Sequence, residues 1–212
     1  MTISIEEDVK NQYAKFFEKG DWHIFKRAAE YYLENAARVS TSDIRYEAKA
    51  LKLLRRNIQK RLYIGIACEL LLKSLYLKNG YCINKLKRNR KIAERYPYRF
   101  SQINQDDFDV TETFLFNKLM EGLYEIIDFG PNKLTVDKGF RIAKVFRNKE
   151  GHVVVLWHDY EPQNYRDIEA ALAGFYKVVF SEDLRVRFSV REGEKAEFKI
   201  SKIADKELKK GT

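Results

Sequence analysis

Between Tyr63 and Leu77 the chain is apolar on almost every side, interrupted only by Glu69 and Lys73. A helix apolar all round cannot face water, so this run must be the interior element around which amphipathic helices pack. Enough apolar material exists for them: 45% of the 212 residues are hydrophobic and 33% charged, which excludes a disordered chain. The length suits one main domain with an appendage. No apolar run reaches the roughly 18 residues of a membrane span. The first residues, Met1 to Asp8, lack the basic flank and apolar core of a signal peptide. Cys68 and Cys82 form no disulfide framework or zinc pattern, which suits packing residues in a reducing, cytoplasmic setting.

The remaining elements follow from periodicity. Asp21 is placed as an N-cap, and Trp22, Phe25, Ala28, Ala29, Tyr32, Leu33 and Ala36 then recur at helical spacing. Ser40 to Asp43 opens a second helix, basic over Arg55, Arg56, Lys60 and Arg61, with a kink expected near Gly65 and a stop at Asn79-Gly80. Residues 81–110 lose periodicity and read as a long basic excursion with one short helix. A third helix is expected from Thr111 to Ile127, with Phe114, Leu115, Leu119, Leu123 and Ile126 on its apolar face, ended by Phe129-Gly130-Pro131-Asn132. Leu134 to Trp157 fits two patterns: Phe140, Ala143 and Phe146 suit a helix, while Val153-Val154-Val155 suits a strand. A last helix runs from Tyr165 or Arg166 to Phe180. Alternation over Val186, Phe188 and Val190 and over Ala196, Phe198 and Ile200 predicts a hairpin turning at Glu192 to Glu194. The fold class is therefore mainly α, an antiparallel helical bundle with a C-terminal β-hairpin. Residues 1–182 form its helical domain and 183–212 the hairpin and charged tail.

Arg147-Asn148-Lys149-Glu150-Gly151-His152 places a fixed cation, a polar amide and an imidazole within six residues. Arginine holds phosphate through its planar fork, and histidine moves protons near neutral pH, so these are the parts of a phosphodiester-cleaving site. The same residues also make a good turn between two strands, 140–146 and 153–157, in which case Arg147 and His152 merely flank it. Glu69 needs a partner if buried, either Arg147 or Lys73 at i+4.

The run Arg61 to Leu75, ending at Asn79-Gly80-Tyr81, resembles the central helix of the HEPN superfamily (higher eukaryotes and prokaryotes nucleotide-binding domains), with Glu69 and Lys73 matching its Glu-three-apolar-Lys core. Arg147-Asn148 followed by His152 matches that family's R-x(4–6)-H motif, and the helices around Lys118 to Leu123 and Tyr165 to Phe180 fall in the corresponding order. The resemblance covers roughly residues 20 to 180. It implies an antiparallel helical bundle, commonly a homodimer whose two motifs meet in a cleft. It also implies a metal-independent endoribonuclease of toxin, defence or RNA-processing type, or else a catalytically inactive module that binds nucleotide or protein. Arg147, Asn148 and His152 would be catalytic, Glu69 and Lys73 supporting, and no cofactor is needed. A partner antitoxin or nucleotidyltransferase is implied for toxin members. The branch regulated through H-x-Y has tyrosine where this chain has Val154.

Forty Lys and Arg against 31 Asp and Glu give a net charge of +9, which favours a polyanionic partner. The expected RNA-contacting surface is Lys85, Lys87, Arg88, Arg90 and Lys91, with Tyr96 and Arg99 interleaving aromatic and cationic groups. His158-Asp159 lies near His152, but no further ligand at recognised spacing completes a metal set, and His23 is isolated.

Overall fold

The computed structural model describes residues 21–39, 47–87, 95–150 and 162–187. The chain is mainly helical, with five helices among the described residues and a two-stranded sheet. Helix α1, Trp22–Arg38, turns Ala29, Leu33 and Ala36 inward, as its spacing predicts, and Ala37 with them. Asp21 stands at its N-cap but makes no side-chain cap; the Ile24 amide reaches the Asp21 carbonyl instead, at 3.2 Å.

Helix α2, Glu47–Lys78, is the central element, with Ile64, Ala67, Cys68, Leu71, Leu72, Leu75 and Tyr76 wholly buried. Gly65, expected to kink it, serves another purpose. A Cβ there would stand 2.7 Å from the Arg147 amide nitrogen and 2.8 Å from its Cα, so glycine permits direct backbone contact between helices. Gly80, at φ +76°, ends α2 in the left-handed conformation that favours glycine.

The excursion is more ordered than its sequence suggests. Strand β1, Asn84–Leu86, pairs antiparallel with β2, Phe108–Thr113, with an irregularity between Asn84 and Leu86, and Tyr81 bridges Arg99. Thr111 to Thr113 are thus strand and not the start of a helix. The Phe114 amide prolongs the pairing to the Ile83 carbonyl at 2.7 Å, which delays helix α3 to Phe116–Ile126. Leu115 is consequently exposed, and Phe116 takes the buried position expected of it.

A short turn of 3-10 helix at Gly130–Asn132 leads into helix α4, Lys133–Glu150. Its helical course buries Val136, Phe140, Ala143 and Phe146 and excludes a hairpin over 140–150. Residues 153–157 lie outside the described residues. Helix α5, Pro162–Phe180, buries Ile168, Ala171, Leu172, Phe175, Tyr176 and Val179. Leu184 to Arg187 is not strand, and the expected hairpin beyond it lies outside the described residues.

Contacts fix the helix directions. Ser74 binds the Trp22 carbonyl while Tyr32 meets Tyr63, so α1 opposes α2. Phe146 meets Tyr165 and Phe140 meets Phe175, so α4 opposes α5. Lys60 lies over Tyr165 and Lys78 reaches the Val179 carbonyl, so α2 and α5 are parallel. One end of the bundle therefore gathers the C-terminal half of α1, residues 56–65 of α2, the end of α4 and the start of α5. The opposite end carries the excursion. No helix among the described residues is long and apolar enough to cross a membrane.

Candidate active site

Arg147 sits in the last turn of α4, where the contact at Gly65 presses that turn against α2. One helical turn further along α2, Glu69 meets its side chain, with Arg147 Nε 3.3 Å from Glu69 Oε2. That Nε is buried yet has no hydrogen-bond partner, so the attraction is Coulombic rather than directional. The rest of the Arg147 side chain is open, at 40% exposure against 16% for Glu69. Glu69 Oε1 takes Lys73 Nζ at 2.9 Å, and Lys73 donates onward to Thr113 Oγ1 at 3.0 Å. Both anticipated partners of Glu69 are thus engaged at once, one on each oxygen, and a buried carboxylate so compensated escapes the cost of an unpaired charge.

The arrangement presents a cation drawn to a carboxylate on its inner edge and partly open to solvent, a geometry suited to an incoming phosphate. Asn148 follows it and is exposed. His152 lies outside the described residues, as does His158. His23 stacks on Trp22 at 3.5 Å between ring centroids, away from Arg147 in the fold. Among the described residues no group of three His, Cys, Asp or Glu gathers as a metal site would require. Cys68 and Cys82 are buried free thiols, and desolvation pushes both above the ordinary thiol range.

Those expected RNA-contacting residues that are described lie at the other end of the bundle. Lys85 is paired with Glu112 at 2.7 Å, Lys87 is exposed, and Arg88, Arg90 and Lys91 lie outside the described residues. Arg99 is exposed, its guanidinium 4.7 Å from the Tyr81 ring centre. Tyr96 departs from its expected stacking role. Its hydroxyl meets Tyr76 at 2.7 Å and also reaches the Lys118 carbonyl, its ring stands edge-on to Tyr98 and Phe114, and Lys118 Nζ covers it at 4.3 Å. A ring so occupied is a packing element.

The sequence reading gave Gly65 a kink and Thr113 a place in a helix, and missed the role each has at this site. Only a close approach in space explains the first, and only strand pairing places the second. Lys60 and Arg61 are both buried near the same end as Arg147, a rare placement for cations. Burial lowers the Lys60 pKa to about 8, opposed by the nearby Glu169 carboxylate. No protein-family model, curated protein or solved structure matches this chain.

Proposed function

We propose that the chain is a HEPN-like, metal-independent endoribonuclease. Arg147 binds and neutralises the scissile phosphate, His152 is the general acid and base, and Asn148 orients the substrate. The ribose 2′-hydroxyl attacks phosphorus as its proton passes to a base, and the P–O5′ bond breaks as the leaving oxygen is protonated. The products are a 2′,3′-cyclic phosphate and a 5′-hydroxyl. The observation that supports this reading is the ion pair of Glu69, on the central helix, with the partly open Arg147 in the last turn of α4, while Lys73 balances the carboxylate. A lone arginine and histidine make a sparse site, and a homodimer with the two motifs across a two-fold axis doubles it.

Cleavage of single-stranded RNA in excess EDTA, with a cyclic-phosphate product, is the expected result. His152→Ala and Arg147→Ala should each lower the rate at least about a hundredfold, the usual scale of general acid–base and electrostatic contributions. Activity abolished by EDTA, or surviving in His152→Ala, rejects the mechanism. Tight nucleotide binding without cleavage assigns the chain to the inactive class of the same fold.

A further inference from the structure

The basic half of α2 has no place in the cleavage chemistry. From residue 48 to residue 68 this helix carries Lys49, Lys52, Arg55, Arg56, Lys60 and Arg61 and not one Asp or Glu. At 100° per residue, Arg56 and Tyr63 share one side of the helix, with Lys60 between them buried over the Tyr165 ring. Arg56 is exposed.

Beside that side runs a row of tyrosines. Tyr31, on α1, is 63% exposed, unusual for so large a ring. It stands edge-on to Tyr32 with ring centres 5.7 Å apart, and Tyr32 lies the same 5.7 Å from Tyr63 of α2. Gln59, between Arg56 and Tyr63 in sequence, donates to the Tyr63 hydroxyl at 2.7 Å and ties the row to the basic half of the helix. Nearby acids on α1 are occupied by their own helix: Glu30 pairs with Lys26 at 3.5 Å and Glu34 with Arg38 at 3.8 Å. The row is level with Gly65, hence at the same end of the bundle as Arg147.

We propose that this end of the bundle is a single-stranded RNA platform, on which Tyr31, backed by the partly buried Tyr32 and Tyr63, stacks a base and the acid-free half of α2, through Arg56, follows the phosphates. Single strands are favoured over duplex because stacking on a ring requires an unpaired base face, and every base has one. The proposal rests on the endoribonuclease reading for the choice of RNA, and it moves the binding surface from the surroundings of Lys85 and Lys87 to the opposite end of the bundle.

Fluorescence anisotropy on the full chain, with a labelled 2′-O-methyl single strand of about 15 nucleotides, separates binding from cleavage because the probe lacks the attacking hydroxyl. Tyr31→Ala is expected to weaken binding roughly fivefold or more, the scale of one lost base stack. Arg56→Glu should lower the slope of log affinity against log salt by about 0.7 for the lost phosphate contact. Both side chains are exposed, so both variants fold. Affinity within about twofold of the parent for both variants overturns the platform. So does a larger loss on Lys87→Glu, equal competition by duplex, or no binding of the probe by the parent chain. If the parent cleaves RNA while these variants bind normally, the platform fails and the active site stands. If the variants lose binding and the parent never cleaves, the platform stands and the endoribonuclease reading fails.

Discussion

Aromatic and cationic side chains gather at both ends of α2, to opposite effect. At the excursion end, Tyr76, Tyr96, Tyr98 and Phe114 pack ring against ring with centres 5.1 to 6.4 Å apart. The Tyr76 and Tyr96 hydroxyls are consumed internally, for Tyr76 donates to the Leu119 carbonyl at 2.8 Å and meets Tyr96 at 2.7 Å. Burial raises both phenols above the ordinary tyrosine range. Three cations described there are matched, Lys85 by Glu112, Lys118 by Glu121 and Arg95 by Glu125, while Lys87 and Arg99 are exposed. Such exposed pairs stabilise little, about 1 kcal/mol at most, but each offsets the charge its own cation would offer a polyanion. At the motif end, Tyr31 projects into solvent, α2 carries no acid between Glu47 and Glu69, and Arg147 keeps part of its side chain open. A sequence rich in Lys, Arg and Tyr therefore does not locate a nucleic-acid surface; the prior commitments of those groups do.

Removing the carboxylate that organises the motif end should do the most damage. Glu69→Gln leaves Lys73, buried, and Arg147 without their common anion, which should cost about 3 kcal/mol in denaturant unfolding, the low end for breaking a buried pair because Arg147 is partly solvated. A loss under about 1 kcal/mol would place the pair with ordinary surface salt bridges.

The second effect belongs to Lys60. Its folded pKa of about 8 lies below its ordinary 10.5, so between those values the unfolded chain binds more protons than the folded one. Stability should accordingly rise by about 2 kcal/mol as pH climbs from 8 to 10, since the charged form is the one burial penalises. Lys60→Met should remove that rise. A wild-type curve flat or falling across this window, once the Lys60→Met curve is subtracted, would show that the ammonium is adequately solvated.

Smallest is Tyr96→Phe. Two tyrosine hydroxyls carry two protons among three contacts, so Tyr76 keeps the Leu119 carbonyl when Tyr96 loses its oxygen. The expected cost is about 1 kcal/mol, with RNA affinity unchanged. An affinity loss at this position would restore the excursion end as a binding surface.

Much of the bundle was legible in the sequence because its helices obey one period. Ala29, Leu33 and Ala36, or Ile168, Leu172 and Phe175, recur at three and four residues and are buried as that recurrence requires. The excursion was not legible, because β1 and β2 pair across more than twenty intervening residues and Thr111 to Thr113 adjoin a genuine helical pattern without a break. For α4 the β-branched run after Gly151 pulled against Phe140, Ala143 and Phe146, and burial against α3 and α5 decided what local propensity left even. The Glu69 to Arg147 pairing was anticipated because a charge inside an apolar helix demands a counter-charge. The tyrosine row was not, since rings at helical spacing look like core until their exposure is known.

Gly65 carries a last consequence. Where two helices are spaced by side chains, a rotamer change can absorb an error in their separation. At Gly65 main chain rests directly on main chain, so nothing soft lies between the central helix and the residue that bears the arginine. The motif end therefore has a machining tolerance set by covalent geometry. A larger residue at position 65 cannot be absorbed where it stands; it must be read out as displacement of Arg147 relative to Glu69.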